Sequence, residues 1–548
     1  MTESNEGHGQ RRTLFEEWEG SPLNQESASR MQLALSQSPI LVREIAALVL
    51  TVLLCDLTLY RSFGFAGPGV LFIVAPLLLW LGTVRLKFDF SVWVVTPMLV
   101  LLSARLLWCG SYLAVASGFV LLCCFAMSLA GVRPYLTRTV VFAAQLIAVG
   151  FRGMNQYVHS LSRFSPVILR THWFAVALPV VSLTTFAAIF VMANPDLVKL
   201  FGQNLTRLVE ILEQWLSHFQ FTEILFCFGA GWVTIGLLRS DGDHIGATDR
   251  PARDSEESAK SSLYDAYRNT LALVIGLFAV YLAFEFQTLW FKTFPKGFHY
   301  SGYAHEGAAW LTVGLGLATV MLSLIFRGKI LSDPRLARLR TLSWIWSIEN
   351  LLLAIAVFNR LFIYIGFNGM TRMRVVGMLG VASVVGGFFL VLRKIARNHD
   401  FIWLIRRQLW TVSFAVYSYA VLPVDAFVNQ FNVSRILAGD PAPCVQISVH
   451  PTSDEGLLCL KPLIDCSDPI IRDGIRALLD QKLDELERRQ SERQEFGWTV
   501  TQFASDRLLA QLRSSKTKWW KDPWWNDTDE KRREVIVEKF HKYAYQWY

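Results

Sequence analysis

The run TVVFAAQLIAVGF, residues 139–151, sits between Arg138 and Arg152. How it is read decides how the whole chain is threaded. An apolar run of about 10–14 residues suits an interfacial or buried helix, whereas a bilayer crossing needs about 20. If this run crossed, every later segment would change side. The surrounding chain is too apolar for a soluble protein of its size. It has 548 residues, 53% hydrophobic and 13% aromatic, with a mean hydropathy of +0.34. Long apolar runs recur from Glu44 to Val424. Hydrocarbon offers no partner to a free backbone N–H or C=O, so such runs read as helices. The expected crossings are 44–62, 65–84, 92–109, 111–130, 174–193, 221–239, 269–291, 305–326, 343–365, 375–393 and 403–424, eleven in all.

Charge supports leaving 139–151 uncrossed. Lys and Arg accumulate in cytoplasmic loops. With the N-terminus inside, one inner segment holds Arg133, Arg138, Arg152, Arg163 and Arg170, and another holds Arg327, Lys329, Arg335, Arg338 and Arg340. The outer loops hold only Arg61, Lys199, Arg207, Lys292, Lys296, Arg372 and Arg374. A crossing at 139–151 would reverse that bias from there on. The expected fold is therefore an all-α polytopic membrane bundle of about 11 transmembrane helices with a small, mostly helical C-terminal extramembrane domain. Its place is the cell (inner) membrane, with a cytoplasmic N-terminus and an extracytoplasmic C-terminus. The start, MTESNEGHGQRRTLFEEWEG, has neither the basic n-region nor the early apolar h-region of a cleaved signal, so the first crossing is expected to act as the signal.

The expected parts are a polar cytoplasmic segment (1–43), a four-helix membrane part (44–130), a basic cytoplasmic segment (131–173), a seven-helix core (174–424) and the C-terminal domain (425–548). Inside the core, 200–219 reads as an amphipathic outer helix, with Phe201, Leu205, Leu208, Leu212, Trp215 and Phe219 on one face. The acidic, Ser-rich stretch 240–262 reads as a flexible cytoplasmic loop.

The tail is nearly balanced in charge, which with its location argues against a nucleic-acid face. DAFVNQFNVSRIL (425–437) looks helical. CVQISVH and GLLCLKPL fit short strands or turns. In 467–490, Ser467 or Asp468 can cap a helix, Pro469 suits its first turn, and Ile471, Ile475, Leu478, Leu479, Leu483 and Leu486 recur at helical spacing. Further helices are expected near 499–514 and 528–545. Cys444, Cys459 and Cys466 lie here. In an oxidising compartment two of the three could pair, or all could stay free. They lack close metal-ligand spacing. The cluster Trp519, Trp520, Trp524 and Trp525 fills the domain's own core, anchors it at the membrane–water interface, or forms a carbohydrate platform.

Ionisable residues in apolar runs are costly and usually face the bundle interior. Asp56, Arg105, Glu285, Glu349 and Arg360 are such residues. Glu349 and Arg360 share a helix face but stand three turns apart, too far to pair. With Asn350 and Asn359 they read as a polar stripe, either a substrate or proton path or interhelical bonding that orders the bundle. His299, Tyr300, Tyr303, His305 and Glu306 cluster where the eighth crossing meets the outside, and an aromatic belt is the reading taken. The sequence holds no phosphate loop, no His-Glu-x-x-His and no Gly-x-Ser-x-Gly elbow. No cofactor or metal is expected.

One stretch, ENLLLAIAVFNRLFIYIGFNGMTRMRVVGML, resembles a family of uncharacterised bacterial polytopic membrane proteins, a domain of unknown function. There a crossing ends in Arg, a Tyr follows, and a turn leads to an Arg opening the next crossing. Arg360, Tyr364, Gly369, Thr371 and Arg374 occupy those places. HYSGYAHEGAAWL, VMANPDLVKLF and LPVDAFVNQFNVSRIL resemble further motifs of the family. The resemblance covers roughly 174–480, outside which the first four crossings and the Trp-rich end look individual. It implies a cell-membrane protein and no established activity. Within the motif, Thr371 can cap the tenth crossing. Arg372 and Arg374 sit on the outer side against the charge bias, so lipid phosphate or tail carboxylates are expected to compensate them and dock the tail. Two functions fit: a membrane scaffold or envelope signalling component whose tail binds a protein partner, or a transporter or channel with a polar path through Glu285, Glu349 and Arg360.

Overall fold

The structure is a computed structural model. It describes residues 40–83, 89–164, 182–183, 220–239, 263–287, 300–326, 330, 333–397, 399, 401–519 and 530–546. All regular structure among the described residues is helical. In chain order the helices are α1 (Val42–Cys55, prolonged by a π-turn Asp56–Tyr60), α2 (Ala66–Gly82), α3 (Val92–Cys109), α4 (Tyr112–Leu129), α5 (Leu136–Phe164), α6 (Phe221–Leu238), α7 (Tyr264–Glu285), α8 (Tyr300–Ile325), α9 (Leu336–Asn368), α10 (Arg372–Arg397) and α11 (Phe401–Val421). They continue as α12 (Val424–Leu437), α13 (Cys444–Val449), α14 (Asp454–Leu458), α15 (Pro469–Phe496), α16 (Phe503–Trp519) and α17 (Glu530–Tyr545).

Five of these, α3, α4, α7, α9 and α10, are long and apolar enough to cross a membrane. A sixth arises if α11 and α12, bent by 66° at Pro423, form one span. The apolar helices 66–82, 222–238 and 310–325 are shorter. Length and composition thus give five to six candidate crossings among the described residues, the firm part of the expected eleven. Each expected crossing except 174–193, of which only residues 182–183 are described, coincides with a helix; 200–219 and 240–262 lie outside the described residues.

The run 139–151 is the middle of α5, a 29-residue helix. Val140, Val141, Ile147 and Phe151 are exposed, whereas Phe142, Leu146 and Tyr157 are buried. The sequence explains this: Arg138, Arg152 and Arg163 interrupt the apolar character, so the helix is two-faced rather than uniformly apolar.

The chain divides into two compact units. The first comprises residues 1–53, 78–86 and 144–240. Here α5 runs against α6, and Trp232 donates its indole N–H to the Ile147 carbonyl at 2.9 Å. Glu44 is fully buried. It accepts from Arg239 Nε at 2.5 Å and from the Tyr157 hydroxyl at 2.6 Å. Arg239 also binds Gln156. Burial first, and then the hydrogen bond to the Glu44 carboxylate and its charge, push the Tyr157 phenol well above its usual range.

The second unit comprises residues 54–77, 87–143 and 241–548. One end of its long helices is marked by a core containing Tyr264, Phe326, Leu336, Trp346, Ile395 and Leu404. The other end is marked by Ile365, Met370, Val375, Val424 and Val428. Helices α9, α10 and α11 therefore alternate in direction between the two clusters. Gly386 lets α11 lie close to α10; a Cβ there would sit 3.0 Å from Thr411 Cγ2.

Helices α12–α17 pack around Cys444, Leu463, Ile475, Leu479, Leu483, Leu508 and Phe540. The spacing read from 467–490 holds: Ile471, Ile475, Leu479, Leu483 and Leu486 are all buried in this core. Asp468 caps α15 by accepting from the Ile470 and Ile471 amides, with Pro469 in the first turn. Gly474 admits Phe540, since a Cβ would lie 2.3 Å from its ring. Of the two expectations for these stretches, short strands or turns, the strand is corrected. CVQISVH and GLLCLKPL form α13, α14 and a 3-10 turn over Lys461–Asp465. Both are too short to build a sheet, and no strand lies among the described residues to pair with them. Nearby Pro, Gly and Ser residues end each piece after one or two turns.

Candidate functional site

Two polar clusters stand out in the second unit. The first lies inside the bundle. Glu285 is fully buried at the end of α7, and Arg360 on α9 is 2% exposed. Arg360 grips both carboxylate oxygens, with Nε to Oε1 at 2.5 Å. Tyr281, one turn back on α7, donates its hydroxyl to Glu285 at 3.0 Å and accepts from Arg360 at 3.2 Å. A planar guanidinium against a carboxylate is the bidentate geometry that suits Arg.

As their separation along α9 requires, Arg360 does not pair with Glu349; its partner comes from another helix. Glu349 is half-buried, and Asn359 is also half-buried. A straight helix carries residues eleven apart on the same face but at different depths, and the neighbouring helix settles which of them is matched. Nearer the other end of α9, Asn350 donates to the Trp346 carbonyl at 2.7 Å. Glu349 Oε2, Asn350 Oδ1 and Trp346 Nε1 are buried with no hydrogen-bond partner.

The second cluster gathers around the α9–α10 turn. Gly369 ends α9 with φ +86°, and a Cβ there would meet Asn432 Oδ1 at 2.6 Å. Thr371 accepts from the Arg374 amide at 3.3 Å, an N-cap for α10. Arg374 is buried, donates to the Gly369 carbonyl and stacks over the Tyr364 ring at 3.8 Å. Arg372 forms a bidentate pair with Asp425 on α12. Asp425 also accepts from the Ser453 amide at 2.9 Å. Asn432 exchanges two bonds with the Met370 backbone, at 2.7 and 2.9 Å. Arg435 donates to the Ile365 and Gly366 carbonyls, both at 2.7 Å, satisfying groups that a helix end leaves open. Asn429 reaches Thr452 at 3.1 Å and the Gly456 carbonyl at 3.0 Å.

A further pair joins this region. Arg105, near the end of α3, grips Glu455 on α14 bidentately, with Nη2 to Oε1 at 2.5 Å. Glu455 is 2% exposed. The sequence reading had flagged Arg105, Arg372 and Arg374. It missed Asp425, Asn429, Asn432 and Glu455 as their counterparts. A signal was present in LPVDAFVNQFN: Asp425, Asn429 and Asn432 recur at spacings of four and three, one face of a helix.

The three tail cysteines are free thiols, Cys444 and Cys466 buried and Cys459 half-buried. Burial pushes the Cys444 thiol up to about 12 and raises Cys459 as well. Trp519 closes α16, but its side chain and Trp520, Trp524 and Trp525 lie outside the described residues. So do His299 and the side chains of Tyr300, Tyr303, His305 and Glu306.

The motif residues Arg360, Tyr364, Gly369, Thr371 and Arg374 thus span both clusters. Residues 69–450 match the family described as "Domain of unknown function (DUF4153)". The chain belongs to the DUF4153 family. The match begins at Gly69, so most of the first four expected crossings belong to the family rather than being individual, and it ends at His450 within the tail. It takes in both clusters except Ser453, Glu455, Thr452 and Gly456. No curated protein matches the chain, and no solved structure does.

Proposed function

We propose that this DUF4153 protein is a membrane scaffold or envelope signalling component whose helical C-terminal domain, 425–548, is held against the bundle and binds a protein partner. In this reading the chain makes eleven crossings of the cell (inner) membrane, with the N-terminus cytoplasmic and the C-terminal domain outside. One observation carries the reading. Three connections that the charge bias puts on one side all meet tail residues. Phe63 N–H points to Thr499 Oγ1 at 3.4 Å, Gly110 N–H donates to Gln502 Oε1 at 3.1 Å, and Met370 exchanges bonds with Asn432. The polar investment is thus spent on fixing a domain. Glu285 and Arg360, the residues best placed for a path, neutralise each other.

The transporter reading retains one supporting observation, the unpartnered buried atoms of Trp346, Glu349 and Asn350 on α9. Two measurements separate the readings. A phosphatase reporter fused after Tyr548 is expected to be active, which requires the outside. A photo-crosslinker at Val535, 62% exposed on α17, is expected to give one discrete protein adduct in intact cells. A cytosolic reporter overturns the orientation. Absence of any adduct, together with loss of function in a normally abundant Glu349→Gln variant, favours the transporter.

A further inference from the structure

A cavity of about 290 Å³ opens where the α1–α2 turn meets α14, α15 and α16. Its walls include Phe63, Asp454, Arg489, Arg493, Ser505 and Asp506. Arg489 and Arg493 are one helical turn apart on α15 and face the same way. Arg493 spends Nη2 on Asp506 at 2.7 Å. Arg489 contacts Glu485 and, at 3.9 Å, Asp454. Each guanidinium has five N–H donors, so both retain donors for a ligand. Opposite them, Asp454 accepts from Ser505 Oγ at 2.6 Å and pairs with Lys482 at 2.9 Å. The floor is apolar, formed by Leu486 and Leu509.

Arg489, Arg493 and the Lys482 ammonium stand against Asp454, Asp506 and Glu485, so the walls carry balanced charge of both signs, which does not suit a simple anion. They suit a ligand carrying phosphate and ammonium together. The rim adds an apolar element. Phe63 is 68% exposed and packs on Phe496 with ring centroids 4.7 Å apart. Gly64 brings this turn against the tail so closely that a Cβ would lie 2.4 Å from the Thr499 carbonyl oxygen. The turn joins two apolar helices, so with α1 and α2 crossing the bilayer it lies at headgroup depth.

We infer that this cavity holds the headgroup of a primary-amine, zwitterionic phospholipid: phosphate on Arg489 and Arg493, ammonium on Asp454 and Asp506, and acyl chains beside Phe63. This rests on the reading of α1 and α2 as crossings. The test is native mass spectrometry of the full chain in detergent, titrated separately with phosphatidylethanolamine, phosphatidylcholine and phosphatidylglycerol. Water-soluble glycerophosphoethanolamine serves as a fourth probe. Phosphatidylethanolamine is expected to bind tightest, because a quaternary ammonium has no N–H to donate and a glycerol headgroup has no cation. Arg489→Gln and Arg493→Gln are each expected to weaken it about tenfold, the scale of one charge-assisted contact. The double Lys variant, which keeps both charges, is expected to fall less than either Gln variant. Both arginines are partly exposed, so the Gln variants are expected to keep the parent melting temperature, measured alongside. Equal binding of the three lipids, or full binding by a folded Gln variant, overturns the inference. Binding of the free headgroup without the lipid also overturns it, and locates the error in the membrane placement of α1 and α2 rather than in the cavity chemistry.

Discussion

Arg360→Met would leave the Glu285 carboxylate fully buried beside α9 with its guanidinium gone. Breaking a buried ion pair by removing one partner costs about 3–5 kcal/mol, because the remaining buried charge loses its counter-charge. Glu285→Leu takes the counter-charge from Arg360 instead and is expected to cost a similar amount, softened by the Tyr281 contact. The double variant Glu285→Leu/Arg360→Met removes both charges and fills similar volume. Such replacements are often neutral or stabilising, so it is expected within about 1 kcal/mol of the parent. The resulting coupling, about 5 kcal/mol or more, exceeds the roughly 0.6 kcal/mol average of hydrogen bonds between membrane helices. Unfolding of the purified full chain in mixed micelles, followed by circular dichroism during a denaturing-detergent titration, measures all four corners of the cycle. Single variants within about 1 kcal/mol of the parent would refute the claim that this pair is a buried lock. So would a double variant as unstable as the sum of the singles.

Charge reversal by Arg372→Glu should set two carboxylates against each other at Asp425 and free the tail. Limited proteolysis should then cut faster near Gly439, and an unchanged digestion rate would count against tail docking. Gly369→Ala should cost about 1–3 kcal/mol, because the positive φ is unfavourable for L side chains and Asn432 blocks the new methyl; a melting temperature equal to the parent's would contradict this. Burial first, then the hydrogen bond to Asp468, pushes the Tyr543 phenol from 10.0 up to about 12. Burial likewise moves the Cys444 thiol from 9.0 to about 12. Both raised values favour the neutral forms. Their stabilisation is therefore complete below pH 9 and fades as pH climbs toward 12, which Tyr543→Phe and Cys444→Ala should flatten in alkaline melts. Finally, Cys444 and Cys466 should resist maleimide until the fold opens, and their labelling without denaturant would disprove this packing.

Much of the helical framework was legible in the sequence because apolar length is a one-dimensional signal. The same holds for α15, whose Ile471–Leu486 spacing and Asp468-Pro469 start were enough to place it. Partnerships across helices were not legible. Arg360 could be seen as a buried cation, but nothing local says that Glu285, 75 residues earlier, stands opposite. Arg105 and Glu455 are 350 positions apart. Short elements failed for another reason: CVQISV and DEGLL have too few residues for period 2 and period 3.6 to diverge. The α5 run was ambiguous because its flanking arginines share the helix rather than bound it.

The 66° bend between α11 and α12 falls at Pro423, where a hinge would be natural. Yet the residues just beyond it are stapled: Asp425 to Arg372, and Asn432 to Met370. The corner is thus braced like a gusseted joint. A force applied to the tail is not absorbed at the proline. It passes straight into the α9–α10 hairpin, and from there along α9 to the Glu285–Arg360 lock.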